Sequence, residues 1–348
     1  MSHATTLLVF VIAALITWFA GVWLTRSTDA IDNKYNLGST FGGLLILGIV
    51  TSLPEAAVTV TAARQHHYDV VVGTLIGGIA IQTVVLSILD AKMKLKEPLT
   101  FAAASLSLVL EACLVIVVTA GAMIAARTPI VLPHTHNSFA SVLIFLLWTS
   151  GLWLVYKARN GLPWRAEALK GAPGREHHER RLVINHPMLK RASMFKIYAA
   201  LTVSSLATVG AGYALATTGS QLATEYNIGS GLFAATFIAL AGALPNISTG
   251  IASIRLNDYK LAMSDIFGGN AFMPALFILA DAFAGKAVIQ SANASDIWFA
   301  AMGILLTAIY IVGLIFRPRR QFLGMGLDSI FVIIFYIAGV VVLAKSGG

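Results

Sequence analysis

Apolar runs long enough to cross a lipid bilayer dominate this chain of 348 residues. A membrane-spanning helix needs about 20 predominantly apolar residues. We place ten such runs, near residues 5–25, 39–64, 68–90, 100–125, 138–156, 197–218, 230–254, 259–281, 296–316 and 323–344. Only 11% of the residues are charged, against about 25% in a soluble domain. The pattern therefore predicts an all-α, polytopic membrane protein with ten transmembrane helices.

The basic residues indicate how these spans are oriented. Ten spans put both chain ends on one side of the membrane, and 20 of the 24 Lys and Arg residues then fall in loops on the opposite side. Because cytoplasmic loops collect Lys and Arg, we expect both termini to be extracytoplasmic, in a plasma membrane or a bacterial inner membrane. This topology accounts for the net charge of +8, so the expected surroundings are a lipid bilayer and no nucleic-acid partner is implied.

The second half of the chain repeats the first at an offset of 191 residues. "YNLGS" at 35–39 aligns with "YNIGS" at 226–230, and "LPE" at 53–55 aligns with "LPN" at 244–246. Each repeat holds five spans, and an odd number inverts one copy relative to the other across the membrane. Inverted repeats bring related segments together near the bilayer midplane. We predict two five-helix repeats, residues 1–157 and 197–348.

Between the repeats lies a basic segment, residues 158–196, which we interpret as a solvated cytoplasmic linker. It contains three histidines, His177, His178 and His186. A regulatory metal or lipid site around them is the alternative, although their spacing fits no standard metal-binding motif.

Two prolines, Pro54 and Pro245, occupy equivalent positions in the middle of spans 2 and 7. A proline inside a helix removes a backbone hydrogen bond and clashes with the preceding turn. In transporters, such broken helices direct backbone groups and helix ends at an ion or substrate. We therefore predict that helices 2 and 7 are broken at these prolines; kinks without a function are the alternative.

The motifs around these prolines resemble a known family. "TSLPE" at 51–55 with "GTLIGG" at 73–78, and "GALPN" at 242–246 with "SDIFGGN" at 264–270, are similar to the two alpha repeats of the sodium/calcium exchanger superfamily of cation antiporters. The resemblance implies a secondary transporter for inorganic cations that works by alternating access, with spans 1 and 6 moving against the rest. It implies neither an enzyme nor a cofactor, and the sequence has no constellation typical of a soluble enzyme.

The resemblance also implies an ion site, which this chain matches unevenly. In the first repeat Thr51, Ser52 and Glu55 match the family pattern, and Gln82 holds the position of its last amide. In the second repeat, Gly242 and Ala243 replace the threonine and serine, Asn246 replaces the acid, and Met273 replaces a ligand. We expect ion binding by Glu55, Thr51, Ser52, Gln82 and Asn246, with Glu55 as the metal-ligating carboxylate. Gly78, Gly269, Asn270 and Met273 are candidates for the ion pathway.

Charge at this site bears on the choice of ion. Calcium takes six to eight oxygen ligands, several of them carboxylates, and the matched positions supply only Glu55. We therefore expect Na⁺ or H⁺ to be coupled, and Ca²⁺ is disfavoured. Asp265 shares a helix face with Gly269 and is a candidate replacement acid. Glu111, in the middle of span 4, is a further candidate for the pathway; a packing role is its alternative.

Two other functions fit parts of the pattern. A related transporter of a non-metal substrate would use the larger and more apolar space left by Gly242, Ala243 and Met273. A channel or a non-transporting membrane scaffold would use the helices without counterflow of ions.

Overall fold

The computed structural model describes residues 3–35, 49, 51–93, 97–128, 138–159, 193–255 and 257–345. The first part of the second predicted span, residues 39–48 and 50, lies outside the described residues. Most of the predicted linker lies outside them as well, including His177, His178 and His186. The hypotheses about a solvated linker and a histidine site therefore remain predictions.

The described chain is mainly helical, and its helices follow the apolar runs of the sequence. The α-helices are α1 (His3–Tyr35), α2 (Leu53–Arg64), α3 (Tyr68–Val72), α4 (Gly78–Ala91), α5 (Leu99–Ala103), α6 (Leu106–Ala125), α7 (Phe139–Arg159), α8 (Met194–Glu225), α9 (Ser230–Phe233), α10 (Ala239–Gly242), α11 (Leu244–Arg255), α12 (Tyr259–Phe272), α13 (Phe277–Ala284), α14 (Ala294–Phe316) and α15 (Leu327–Lys345). π-Helical turns Gly73–Gly77 and Ala234–Ile238 join α3 to α4 and α9 to α10, and 3₁₀ turns occupy Met273–Leu276 and Val288–Ser291. Two short strands, β1 (Gln321–Phe322) and β2 (Met325–Gly326), form an antiparallel hairpin before α15.

Seven helices in the described residues are long and apolar enough to cross a membrane, and a bent pair raises the number to eight. The C-terminal helix adds a shorter apolar segment, Leu327–Leu343. The chain is thus an all-α polytopic membrane protein. The count of ten spans stays a prediction.

The second repeat contains a bent span that includes Pro245. The segments Ser230–Gly242 and Leu244–Arg255 meet at an angle of 42°, and Pro245 lies in the first turn of α11, where a missing N–H costs no helical hydrogen bond. In the first repeat Pro54 has the equivalent position in the first turn of α2, two residues after the cap residue Ser52. Both prolines therefore begin a helix, which is the position where proline is best tolerated.

Local backbone geometry recurs at equivalent positions of the two repeats. His66 and Asn257 both have positive φ, 63° and 60°. Each contacts the tyrosine two residues later: His66 Nδ1 lies 2.6 Å from the Tyr68 hydroxyl oxygen, and the Tyr259 hydroxyl donates to Asn257 Oδ1 at 2.8 Å. The same turn thus precedes span 3 in one repeat and span 8 in the other.

Two buried aspartates at equivalent positions join each repeat to the other. Asp90 accepts backbone hydrogen bonds from Leu99 N at 2.8 Å and from Gly326 N at 2.7 Å, next to the start of α15. Asp281 accepts them from Val288 N at 2.8 Å and from Ser138 N at 2.9 Å, next to the start of α7. The last helix of each repeat is thereby held against the third helix of the other.

The helices divide into an interior group and a peripheral pair. Segments α3–α4, α12 and α14 contribute many fully buried side chains. Helices α1 and α8 pack along each other and expose large apolar side chains such as Leu8, Phe19, Val203 and Leu206. In a membrane protein such an exposed apolar face is the surface that contacts lipid tails.

Candidate ion-binding site

Glu55 lies in the first turn of α2, directly after Pro54, and its side chain is buried. An acid in the first turn is favoured by the unpaired N–H groups and by the dipole of the helix. Gln82, from α4, donates a hydrogen bond from Nε2 to Glu55 Oε1 at 3.0 Å. The local sequence therefore places one carboxylate at a helix start and turns it toward the interior, away from lipid.

The Glu55 carboxyl group lies against the bend of the second repeat. A methyl group built on Gly242, the last residue of α10, would be 3.0 Å from Glu55 Oε1 and 3.2 Å from its carboxyl carbon. Such contacts are tighter than ordinary van der Waals separation. The start of α2 and the bend of the second repeat therefore meet inside the protein, and the carboxyl group occupies space that a larger residue 242 would fill.

Polar groups from three other helices converge beside Gly269 of α12. A methyl group built on Gly269 would lie within 4.0 Å of three polar atoms, which are Ser52 Oγ at 3.8 Å, Asn246 Nδ2 at 3.9 Å and Gln82 Oε1 at 4.0 Å. These residues come from the two breaks and from α4. The structure thus brings Ser52, Gln82 and Asn246 together around one point, as the sequence predicted for an ion site.

Asp265 lies four residues before Gly269 on α12, about one helical turn away. Its side chain is buried, and Thr51 donates a hydrogen bond from Oγ1 to Asp265 Oδ1 at 3.4 Å. Thr51 is four residues before Glu55 in the chain, so this hydrogen bond connects Asp265 to the start of the helix that carries Glu55.

Several buried oxygens in this region have no hydrogen-bond partner within the described part of the chain. They are Glu55 Oε2, Gln82 Oε1, Asn246 Oδ1, Asp265 Oδ2 and Asn270 Oδ1. An ionised carboxylate and an amide oxygen can only accept hydrogen bonds. A buried polar atom without a partner is costly, and a proton, a cation or a water molecule can satisfy a group of acceptors. We name Thr51, Ser52, Glu55, Gln82, Asn246 and Asp265 the acceptor cluster.

Apolar side chains border the acceptor cluster on one side. A methyl group built on Gly78 would lie 2.9 Å from Ala239 Cβ and 3.2 Å from Met273 Cε. Met273 is fully buried and follows Gly269 by one turn, on the side away from Asp265. Along α12 and into the 3₁₀ turn that follows it, the side chains at one-turn intervals therefore change from a carboxylate through a glycine to a thioether.

Two further candidates from the sequence lie next to the acceptor cluster with their own contacts. Asn270 donates from Nδ2 to Thr83 Oγ1 at 3.1 Å. Glu111 of α6 is buried, and its Oε2 accepts a hydrogen bond from Ser264 Oγ at 2.5 Å. Because Ser264 directly precedes Asp265, Glu111 is linked to the region of the second acid through neighbouring residues of α12.

Within the described residues, the acids Glu55 and Asp265 form no ion pair with a basic residue and belong to no cluster of metal-binding side chains. The ion pair found there joins His3 to Glu225 at 2.8 Å, remote in sequence from Glu55 and Asp265. The described part of the chain also holds no group of three or more His, Cys, Asp and Glu residues suited to a metal ion. A cation at the acceptor cluster would therefore depend on amide and hydroxyl oxygens for most of its ligands.

Comparison with known proteins matches this architecture to one family. The family model described as sodium/calcium exchanger protein matches residues 5–157 and 196–345. The chain belongs to the sodium/calcium exchanger family. It is similar to the inner membrane protein YrbG of Escherichia coli strain K12, with 25% identity over 272 residues, 78% of this chain and 77% of the relative. It is also similar to the putative antiporter CaxA of Alkalimonas amylolytica, with 24% identity over 323 residues, 90% of this chain and 92% of the relative.

Solved structures of exchangers share the fold of this family member. The sodium-calcium exchanger NCX_Mj, soaked with 2.5 mM Na⁺ and 0.1 mM Ca²⁺, superposes with a TM-score of 0.61 and 14% identity, covering 98% of this chain and 99% of its own. The H⁺/Ca²⁺ exchanger CAX superposes with a TM-score of 0.63 and 14% identity, covering 98% and 88%. The chain is therefore an integral, multi-pass membrane transporter of the cation-exchanger family, as its motifs predicted.

Sequence reasoning missed two structural features of the site. It treated Gly242 as a lost hydroxyl and as a source of apolar space, whereas the structure places Gly242 against the Glu55 carboxyl group. It also passed over Ser264, the donor to Glu111. The signals were present, because Gly242 is the repeat counterpart of Thr51 and Ser264 adjoins Asp265.

Proposed function

We propose that this protein is a secondary cation antiporter that works by alternating access, with Glu55 as the carboxylate that exchanges its bound cation or proton. The observation that carries the proposal is the convergence of buried oxygen acceptors without partners at the meeting point of the two breaks. Thr51, Ser52, Gln82 and Asn246 would supply neutral oxygens. The site would need no cofactor, since the transported cation is its only ligand.

Charge favours Na⁺ and H⁺ as the coupled ions. One carboxylate balances one monovalent cation, whereas a divalent cation in a low-dielectric site needs a second negative charge. Ca²⁺ is the second candidate, because the hydrogen bond from Thr51 to Asp265 holds a second acid beside the start of the helix that carries Glu55. If both acids are ionised together, the acceptor cluster carries two charges. Gly78, Gly269, Asn270, Met273 and Glu111 would border the pathway.

The proposed arrangement in the membrane follows from the repeats. Residues 1–157 and 197–348 would be the two inverted halves, joined by a basic cytoplasmic linker, with both termini extracytoplasmic. Access to the acceptor cluster would alternate as α1 and α8 move against the remaining helices. Inorganic cations and the lipid bilayer are the partners in this proposal.

Exchange in liposomes tests the proposal. Purified protein is reconstituted, and gradients of Na⁺, K⁺, Ca²⁺ and H⁺ are imposed one at a time while uptake of a labelled cation is measured. An antiporter moves the labelled ion only when a second ion is present on the opposite side. Uptake that is independent of any counter-ion would indicate a channel, and no uptake under any cation gradient would contradict the proposal in favour of a non-metal substrate or a scaffold.

A further inference from the structure

Helix α8 lies close to α2 at Gly212. A methyl group built on Gly212 would lie 2.6 Å from Ala57 Cβ, 3.1 Å from the carbonyl oxygen of Pro54 and 3.2 Å from the backbone nitrogen of Val58. Two of these three atoms belong to the backbone and cannot turn aside as a side chain does. Gly212 of α8 therefore packs directly against the first turn of α2, which is the turn that carries Glu55.

Helix α1 makes the corresponding contact with the second repeat at Gly21. A methyl group built there would overlap Cβ and Cγ of Pro245, and Pro245 directly precedes Asn246. Gly21 and Gly212 differ by the same offset of 191 residues that relates Pro54 to Pro245. The first helix of each repeat thus packs a glycine against the helical turn of the other repeat that contains its proline. The same contact therefore occurs twice, at two separate places in the molecule.

These crossings connect the peripheral helices with the acceptor cluster. Helices α1 and α8 pack along each other and face outward with large apolar side chains, whereas the two proline turns are buried. Close backbone approach of this kind requires small residues at the contact. A displacement of α8 relative to α2 is therefore transmitted at Gly212 directly to the backbone next to Glu55.

We infer that Gly212 and Gly21 are positioning residues for ion exchange, because they let α8 and α1 bear directly on the turns that hold Glu55 and Asn246. The inference rests on the proposed function. It adds that the two helix crossings should affect exchange unequally. Gly212 packs against the turn that carries the Glu55 carboxylate, whereas Gly21 packs against the turn that carries the neutral Asn246 amide. Disturbing Gly212 should therefore affect exchange more than disturbing Gly21.

The matched pair G212A and G210A tests the inference. Gly210 lies on the same helix two residues earlier, and a methyl group built on it meets no atom within 4 Å, so G210A controls for the general effect of alanine in α8. Exchange is measured in liposomes and expressed per folded protein, with the half-saturating cation concentration determined separately. We expect G212A to lower the maximal rate about tenfold, as a small misplacement of a reacting group does, and to raise the half-saturating concentration. G210A should match the wild type.

The second variant pair covers a failure of G212A to fold. In G212A with A57G the closest overlapping atom, Ala57 Cβ, is removed, so this variant should fold and recover part of the lost rate. G21A should slow exchange less than G212A does. Equal rates per folded protein for G212A and G210A, or an equal or larger effect of G21A, would overturn the inference while wild-type exchange still supports the proposed function. An absence of exchange in the wild type would instead overturn the proposed function.

Discussion

The two proline breaks occupy equivalent positions but differ in chemistry. The first reads Thr51-Ser52-Leu53-Pro54-Glu55, with two hydroxyls and a carboxylate, and the second reads Gly242-Ala243-Leu244-Pro245-Asn246, with a single amide. The missing side chain at Gly242 leaves the space against which the Glu55 carboxyl group lies. The difference teaches that the proline segment of the second repeat contributes room and a neutral oxygen, while that of the first repeat contributes a carboxylate.

The same inequality extends to the helices that follow the breaks. Gln82 in the first repeat donates to Glu55, whereas its counterpart Met273 is a buried thioether near Gly78. Asp265 in the second repeat has Thr74 as its counterpart. The two repeats therefore have similar backbones but different polar side chains at equivalent positions. Substitutions that give one repeat the side chain of the other test how much each polar group contributes to exchange.

The largest effect is expected from Glu55→Gln, which removes the charge of the first repeat at nearly constant volume. We expect cation exchange in liposomes to fall by about 100-fold or more, the usual cost of losing a positioned proton-transfer group. Glu97→Gln, which changes an acid outside the acceptor cluster, is the control and should leave exchange unchanged. Comparable rates for the two variants would remove Glu55 from the mechanism.

Gln82→Met gives the first repeat the side chain that the second repeat has. It deletes the hydrogen bond to Glu55 Oε1 and one acceptor oxygen. Because hydrogen bonds to charged groups contribute about 1.5–3 kcal/mol, the half-saturating cation concentration should rise at least about tenfold. Titration of exchange against cation concentration measures it, and an unchanged midpoint would mean that Gln82 is not part of the ion site.

Gly242→Ala gives the second break a side chain where it has none. The new methyl group would press on the Glu55 carboxyl group, which can yield because it ends a flexible side chain. A cost of about 1 kcal/mol, or roughly a fivefold loss in exchange, is expected. Gly268→Ala is the matched control, since a methyl group built there meets nothing within 4 Å. If both variants had equal exchange rates, the contact between Gly242 and Glu55 would not affect exchange.

Met273→Leu should have the smallest effect, because it conserves volume and the apolar character of this border. Exchange within about twofold of the wild type is expected, which corresponds to about 0.4 kcal/mol and lies at the low end of the cost of such swaps. A loss as large as that of Gln82→Met would show that the sulfur itself binds the ion, and that the second repeat contributes more than the comparison assigns to it.

The sequence predicted the parts of the site that depend on local pattern. The repeat offset identified Pro54 and Pro245 as equivalent, and motif matching selected Ser52, Gln82 and Asn246, which the structure brings together beside Gly269. A buried acid after a proline is conspicuous in an apolar run, because charge in a membrane span is costly unless it has a function.

The contacts that depend on packing between the repeats could not be predicted. The approach of Gly242 to Glu55, the crossing of Gly212 over Pro54, and the hydrogen bond from Ser264 to Glu111 all join residues more than 150 positions apart. The periodicity of apolar residues indicates which face of a helix is buried, but it does not indicate which other helix packs against that face. For the same reason the sequence named Asp265 as a replacement acid without its partner Thr51.

Chemical labelling of Glu55 tests the central claim most directly, namely that this one buried acid alternates between a proton and a transported cation. Dicyclohexylcarbodiimide reacts with protonated carboxyl groups in apolar surroundings, and mass spectrometry of the reconstituted protein locates the product. We expect Glu55 to be modified in the absence of the transported cation and protected, in a concentration-dependent way, when that cation is added. Modification of Glu55 that the transported cation does not reduce, or protection confined to another acid, would contradict the account.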